Sequence, residues 1–426
     1  MIAWYSYYFV ECDLSERFNL NANGSERSEM IHTAELVHFL SREHYDELEK
    51  YLKEHSASYQ GDSHPLNPSK DNKEKGIIHY GWTIVSKYNG ISYFSIEKVS
   101  TGAEYRRRAV AKIHLAQLAT PGQKRKGDLF DDPSQVYLMA SNFNRLLLEY
   151  TGDYDLGDIS WWNVKRCDYA VDLHVDHDLV QPYIRLFQHG ELPAKNLSLR
   201  RWNTEEGNEN TTIHDENGSL KYNIYGKYWR ELNKGNNAEP WRNTLRFEMQ
   251  LFVDGIKEVS PVRKIKTLAY DQDVLAAVKK KILKSFRAYA GDGDYYRVDA
   301  LSENRKLVRA TTLLPSKRGT DQNVEENEKR REMMEAVVNA LASVADHRGL
   351  WDMGAKEKKA IKKALKGYGI NLVPIPAGWD ITSLPSLGEQ FKKQLKVFDR
   401  GGKLAEPETE DEDEDEDEET METPWD

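Results

Sequence analysis

The stretch that decides the fold is Val164-Lys-Arg-Cys-Asp-Tyr-Ala-Val-Asp-Leu-His-Val175. Apolar or aromatic residues alternate with polar ones, and this period of two is typical of a β-strand with one buried face. One face of such a strand carries Cys167, Tyr169, Val171 and Leu173. The other carries Asp168, Ala170, Asp172 and His174. The pattern therefore predicts a strand that turns an apolar face to a core and an acidic face away from it.

Two later stretches continue this pattern. They read Tyr222-Asn-Ile-Tyr-Gly-Lys-Tyr228 and Thr244-Leu-Arg-Phe-Glu-Met-Gln-Leu251. In the second, the apolar face consists of Leu245, Phe247, Met249 and Leu251, and the opposite face of Arg246, Glu248 and Gln250. If the three strands are neighbours, one polar face gathers Asp168, Asp172, His174 and Glu248 beside Tyr225 and Lys227.

Carboxylates clustered with an imidazole suit a divalent cation such as Mg²⁺ or Mn²⁺. A tyrosine beside that cation can act as a nucleophile toward phosphorus, with a lysine offsetting phosphate charge. Ordinary roles stay open: Asp168 and Asp172 could pair with basic side chains, and Glu248 with Arg246. The chain has 23 tyrosines, so Tyr225 competes with its neighbours Tyr222 and Tyr228.

The order of three short motifs resembles rolling-circle replication initiators. The motifs are Arg166-x-Asp168-x-x-x-Asp172, Ile224-Tyr225-x-Lys227 and Arg246-x-Glu248-x-x-Leu251. The similar groups are the Rep_trans-type plasmid initiators and the gene II-type proteins of filamentous phages, and the likeness covers roughly residues 130–300. The resemblance implies that Tyr225 is the nucleophile, that Asp168 and Glu248 bind the metal, and that Asp172 is a second acid. His174 is an additional candidate ligand.

The function implied by the resemblance is nicking and rejoining of one DNA strand at an origin. Tyrosine would form a phosphotyrosyl link and release a 3′ hydroxyl, a reaction that needs no ATP. The expected partners are single-stranded or extruded origin DNA and a host replication helicase or polymerase. One alternative is a non-catalytic DNA-binding or replication-control protein with the same fold, and a closer variant is a relaxase-like mobilisation enzyme. The sequence leaves the oligomeric state open, a dimer included.

Charge is distributed unevenly along the chain. The formal net charge is −10, but 14 acidic residues lie within residues 406–426, and residues 1–405 hold 60 basic against 56 acidic residues, a net +4. A mildly basic body is compatible with a nucleic-acid partner. Two cysteines, Cys12 and Cys167, give no disulfide framework, which favours a reducing cytoplasm. No stretch approaches a membrane span, and residues 1–12 predict a strand rather than a signal peptide.

The predicted fold class is α+β, with a central antiparallel sheet flanked by helices, a helical C-terminal region and a disordered acidic tail. Four regions are expected: an N-terminal α+β region with a β-hairpin, the catalytic domain, the helical region and the tail, over residues 1–130, 131–300, 301–402 and 403–426. The hairpin is predicted within residues 76–100, around Asn89-Gly90. Helices are predicted over residues 28–56, 104–119, 132–150, 274–289, 325–346 and 356–366.

Basic and aromatic residues suggest where DNA would lie. Candidate phosphate contacts are Arg106, Arg107, Arg108, Arg200 and Arg201. Candidate stacking platforms are Trp161, Trp162, Trp202 and Trp229. A solvated helix face explains the arginine cluster equally simply, and tryptophan is more often a core residue.

Overall fold

The structure, a computed structural model of the chain, describes residues 31–55, 63–65, 79–80, 82–84, 90–100, 105–121, 129–130, 135–152, 154–202, 212–314, 321–347 and 349–395. Three sequence predictions lie outside these residues. They are the strand over residues 1–12, the start of the helix predicted over residues 132–150, and the acidic tail.

One antiparallel sheet organises the described residues. Its strands are β1 Ile31–Phe39, β2 Ser63–Pro65, β3 His79–Tyr80, β4 Trp82–Ile84, β5 Ile91–Ser100, β6 Tyr105–His114, β7 Asn163–His174, β8 Arg201–Trp202, β9 Thr212–Glu216, β10 Leu220–Gly226 and β11 Thr244–Phe252. Their order is β2-β4-β5-β6-β1-β7-β11-β10-β9-β8, and β3 pairs with β5. A separate pair joins β12 Tyr295–Tyr296 to β13 Ser383–Leu384. The predicted antiparallel sheet is confirmed.

Helices flank the sheet and dominate the C-terminal region. They are α1 Arg42–His55, α2 Leu115–Ala119, α3 Val136–Thr151, α4 His177–Phe187, α5 Lys227–Leu232, α6 Val253–Lys257, α7 Ile265–Tyr270, α8 Gln272–Ala290, α9 Arg305–Thr311, α10 Asp321–Ala345, α11 Ala355–Leu365 and α12 Gly388–Gln394. The α+β class and the helical C-terminal region are therefore confirmed. No helix in the described part of the chain combines the length and apolar character that a membrane crossing needs.

The apolar faces of β7 and β11 form the centre of the core, as their alternation predicts. Phe247 of β11 is fully buried and meets Phe286 of α8 edge-to-face, with ring centroids 5.6 Å apart. Phe391 of α12 stacks on Phe286 at 3.8 Å. Aromatic packing of this kind adds to the free energy of apolar burial. The helices thus cover one face of the sheet and leave the polar face for other contacts.

The helix predicted over residues 28–56 is half wrong. Residues 31–39 form β1, which pairs with β6 on one side and β7 on the other, and only residues 42–55 are helical. Ala34, Leu36 and Val37 are all buried in β1. Register shifts against β7, between Ile31 and Thr33 and between Glu35 and Leu36, break the alternation of the buried residues, and the helical spacing of leucines further on masked the strand.

The helix predicted over residues 104–119 is also mostly wrong. Residues 105–114 form β6, and only the five residues of α2 are helical. Residues 109–111 and 113 of β6 are buried, so this strand too has no simple period of two. The predicted basic helix end is instead a run of strand positions opposite β5, with Arg108 facing Glu97.

The remaining element predictions hold where the structure describes them. Strands β4 and β5 pair antiparallel, as the hairpin prediction requires, although its turn at residues 85–89 lies outside the described residues. Helices α3, α8, α10 and α11 lie where helices are predicted. Strands from residues 31–114 and from residues 163–252 belong to the same sheet. The sheet therefore spans the region boundary predicted between residues 130 and 131.

The central position of β1 predicts a specific stability difference. Leu36→Ala removes a fully buried side chain and should lower the free energy of unfolding by about 2–5 kcal/mol. Phe39→Ala is the matched control, because Phe39 ends the same strand and is 54% exposed. Urea unfolding of both variants is the measurement. Equal losses in the two variants would contradict the placement of β1 in the core.

Candidate functional site

The register of three strands brings the predicted site residues onto one face. In β7 and β11, Asp168 lies opposite Gln250, and Asp172 opposite Arg246. In β11 and β10, Glu248 lies opposite Asn223, and Arg246 opposite Tyr225. Because partners in antiparallel strands point to the same face, these side chains form one polar surface. The predicted neighbour relation of the three strands is correct.

Glu248 is the centre of this surface. Its carboxylate is 2% exposed and accepts hydrogen bonds from the Tyr225 hydroxyl at 3.1 Å, the Asn223 amide at 2.9 Å and the Gln250 amide at 2.7 Å. Burial alone would raise the Glu248 pKa, but the charge of Arg230 and these hydrogen bonds outweigh it and hold the pKa below its ordinary value. Glu248 is therefore a buried anion.

Asp168 is the second buried carboxyl group, at 2% exposure. It receives Arg166 Nε at 2.8 Å, a hydrogen bond from the Thr33 hydroxyl, and a long contact from Gln250 Nε2 at 3.5 Å. Gln250 thus touches both carboxyl groups. Burial and the negative charge of Glu248 raise the Asp168 pKa to about 6, although Arg166 opposes the shift. A bound proton or cation would reduce the repulsion between these two carboxyl groups.

Tyr225 lies beneath Arg230, whose guanidinium is 4.1 Å from the ring centroid. The side chain is 1% exposed. Burial, and then the charge of Glu248, raise the Tyr225 pKa above its ordinary value, so the phenol keeps its proton at neutral pH in this state. The hydroxyl donates that proton to a hydrogen bond with Glu248.

Asp172 makes a different contact from the one predicted. Both of its oxygens accept hydrogen bonds from Arg246, from Nε at 2.5 Å and from Nη2 at 2.5 Å. The Arg246 side chain is fully buried, and its guanidinium lies 5.7 Å from the Trp241 ring centroid. A planar fork of this kind uses both oxygens of the acid. Asp172 therefore neutralises Arg246, and Arg246 pairs with Asp172 rather than with Glu248.

Lys227 is not on the strand that carries Tyr225, which corrects the prediction of a continuous strand to residue 228. β10 ends at Gly226, and Lys227 is the first residue of α5. Its ammonium lies 3.3 Å from Glu231 and 5.0 Å from the Trp241 ring centroid. Burial and the charge of Arg246 lower the Lys227 pKa to about 7. The lysine borders the site from the helix side.

His174 lies away from the two buried carboxyl groups. It is exposed at the last position of β7, opposite Thr244, whereas Glu248 lies opposite Ala170. Four strand residues span about 13 Å, so the His174 backbone is about that far from Ala170. Among the described residues, no group of three or more His, Cys, Asp or Glu side chains is arranged to hold a metal ion.

The predicted DNA-contacting residues are scattered. Arg106 is exposed, whereas Arg108 forms an ion pair with Glu97 at 2.7 Å. Arg200 is exposed and lies 3.3 Å from Glu216. Arg107 is half-buried in β6, and the side chain of Arg201 is outside the described part of the structure.

The four predicted stacking tryptophans also differ in position. Trp162 is fully buried against Phe143, so it is a core residue. Trp161 is 64% exposed, and Trp229 is half-buried. Trp202 lies on β8, and its side chain is outside the part of the chain that the structure describes. Cys167 is a buried free thiol whose pKa burial raises to about 12, so it is an unreactive core group.

Sequence reasoning missed His32, the second residue of β1. Its Nδ1 lies 3.7 Å from Glu248 Oε2, and its buried Nε2 has no hydrogen-bond partner among the described residues. Burial and the charge of Arg246 lower the His32 pKa well below its ordinary value, so the ring is neutral. The β-branched residues flanking it, Ile31 and Thr33, were the signal that could have placed His32 on a strand.

The raised Asp168 pKa predicts a pH-dependent stability. A group with a raised pKa in the folded state contributes stability that is complete below its unfolded pKa of about 3.9 and is lost as pH rises through about 6. The unfolding free energy of the wild type, relative to Asp168→Asn, should therefore fall between pH 4 and pH 7, by on the order of 1–3 kcal/mol.

Denaturant unfolding across that pH range, with a chelator present, is the measurement. Asp292→Asn is the matched control, because the Asp292 side chain is 80% exposed. A wild-type-minus-Asp168→Asn difference that stays constant with pH would show that Asp168 ionises normally.

Comparison with known proteins assigns no family to the chain. No protein-family model matches it, and no curated protein matches it either. The chemistry assigned to the site therefore rests on its own contacts and on the order of its motifs.

Proposed function

We propose that the protein nicks and rejoins one DNA strand through Tyr225, with assistance from Mg²⁺ or Mn²⁺, as a replication initiator of the rolling-circle type. The observation that carries the proposal is the contact chain Tyr225–Glu248–Gln250–Asp168. A tyrosine hydroxyl donates to one buried carboxylate at 3.1 Å, and a single amide touches that carboxylate and a second one. Such a set combines a nucleophile, a proton acceptor and a cation-binding pair.

The donor set fits a hard divalent cation. Asp168 and Glu248 would hold it with carboxylate oxygens. The observation that supports the fit is geometric, because Gln250 Nε2 lies 2.7 Å from Glu248 and 3.5 Å from Asp168, so both buried carboxyl groups surround one side chain. When bound, such a cation withdraws electron density from a phosphate oxygen.

The side chains themselves account for the proton and the new bond. Glu248 accepts the Tyr225 proton along their existing hydrogen bond. The tyrosine oxygen then bonds to phosphorus, the bond from phosphorus to the 3′ oxygen breaks, and that oxygen takes a proton from water, whose hydroxide is neutralised by the proton that Glu248 accepted. In the reverse direction a 3′ hydroxyl attacks the phosphotyrosine and restores the phosphodiester. Arg230, which lies over the tyrosine ring, favours the phenolate while it exists.

A second candidate function is DNA binding without cleavage, and the burial of Tyr225 favours it. At 1% exposure, the hydroxyl needs the covering groups to move before a phosphate can reach it. A replication-control protein would keep the same hydrogen bonds as a buried polar network that holds the sheet register. The two functions differ in whether a covalent protein–DNA product forms.

Strand cleavage by Tyr225 predicts a covalent adduct with single-stranded origin DNA in Mg²⁺ or Mn²⁺. Tyr225→Phe should abolish nicking and adduct, a loss on the order of 10³-fold or more, because the nucleophile is removed. Tyr222→Phe is the matched control: it lies on the same strand, faces the core and bonds Ser285, so cleavage should persist. The measurement is denaturing electrophoresis of labelled oligonucleotides drawn from the replicon that encodes the protein.

Two results would contradict the proposal. Cleavage that survives in Tyr225→Phe would remove Tyr225 from the chemistry. Tight origin binding by the wild type, with no nick or adduct at any metal concentration, would favour the non-cleaving DNA-binding function.

A further inference from the structure

A cleft lies at the end of the strands where β10 passes into α5, on the side of the sheet that α4 covers. Its volume is about 550 Å³, large enough for a nucleotide. One wall is a face of α4 that includes His177 and Arg185, the other is residues 378–381, and Trp229 of α5 completes the lining. Ligand sites are typically clefts of this size, with aromatic walls and a few polar groups.

Planar rings dominate the lining. Trp229 stacks on His177, with ring centroids 4.5 Å apart and an interplanar angle of 13°. A contact between His177 Nδ1 and the Arg242 carbonyl oxygen at 2.9 Å holds the imidazole in this orientation. Trp379 stands on the other wall and is half-buried. Half-buried indoles in a cleft offer flat apolar surfaces that a stacked base would remove from water.

Polar groups in the cleft match the rest of a nucleotide. The Arg185 guanidinium lies 6.0 Å from the Trp379 ring centroid and makes no ion pair with any carboxylate in the described residues. It can therefore meet a phosphate. The carboxylates of Asp178 and Asp380 also line the cleft and can accept hydrogen bonds from the exocyclic amines of a base.

Helix α5 connects this cleft to Tyr225. The helix starts two residues after the tyrosine, and its consecutive residues Trp229 and Arg230 serve different sites. Arg230 lies over the Tyr225 ring, while Trp229 lines the cleft and packs so closely over Gly226 that a Cβ there would meet the indole at 2.4 Å. Because Gly226 pairs with Leu245 of the apolar face, Trp229 and the cleft lie on the face of the sheet opposite Tyr225.

We propose that this cleft binds a base of single-stranded DNA. Trp379 and the Trp229–His177 pair hold the base by stacking, and Arg185 contacts its phosphate. The inference rests on the proposed function, because it takes DNA as the substrate. It adds the place where the strand is held, and it makes the cleft a determinant of affinity for single strands over duplexes.

Fluorescence anisotropy of a labelled 12-nucleotide single strand and of its duplex, without divalent cation, tests this. Trp379→Ala should weaken single-strand binding about 10-fold, the scale of one lost stacking contact of 1–3 kcal/mol. Trp379→Phe should retain most of the affinity, since it keeps a ring. Tyr137→Ala is the matched control, because Tyr137 is a 59% exposed ring on α3, away from the cleft lining, and should bind like wild type.

The outcomes separate the two proposals. If Trp379→Ala leaves the single-strand affinity unchanged while the wild type still cleaves through Tyr225, only the cleft assignment is overturned. Absence of any single-strand binding by the wild type overturns both. If deoxyadenosine monophosphate competes as strongly as the 12-nucleotide strand, the cleft is a pocket for free nucleotides. That result also overturns the inference.

Discussion

The burial of Glu248 constrains the rest of the structure most strongly. An ionised carboxylate at 2% exposure is tolerated only with full compensation, because an uncompensated buried charge costs several kcal/mol. Its three hydrogen-bond donors come from β10 and β11, and the charge of Arg230 comes from α5. A slip of one residue between these strands would turn Glu248 toward the aromatic core around Phe247. The polar face thus fixes the register, and the packing of α8 and α12 on the opposite face follows from it.

The sequence predicts β7 and β11 because each has one apolar and one polar face, so their period is visible without the fold. It does not reveal β1 and β6. Ala34 and Leu36 of β1 are both buried, a register shift against β7 lies between them, and only pairing with β6 and β7 distinguishes such a run from a helix. Lys227 illustrates a boundary effect: the strand pattern continues to residue 228, but Gly226 ends the strand and lets Trp229 pack closely above it.

The candidate site, too, is predictable from the sequence only in part. The shared face of Asp168, Glu248 and Tyr225 follows from alternation once the three strands are neighbours, but the chain order does not give the sheet order, in which β11 lies between β7 and β10. The sequence does not predict the partner of Asp172. Both Asp172 and Glu248 could pair with Arg246, and only the register decides between them. His32 comes from a strand more than 130 residues before Asp168, so its contact with Glu248 exists only in the folded sheet. A buried tyrosine hydroxyl beside two buried acids is costly for folding, and clusters of perturbed titratable groups of this kind are frequent at functional sites.

The shared site of Asp168, Glu248 and Tyr225 is tested most directly by calorimetric titration of Mn²⁺ into the wild type and into Glu248→Gln. If the two buried acids form one cation site, the wild type should bind one Mn²⁺ per chain, and the amide variant should bind it at least about 10-fold more weakly. The amide keeps the size of the side chain, so a circular dichroism spectrum equal to that of the wild type would exclude misfolding. Equal Mn²⁺ affinity in the two proteins, or none in the wild type, would contradict the assignment of this polar face as the metal-assisted site.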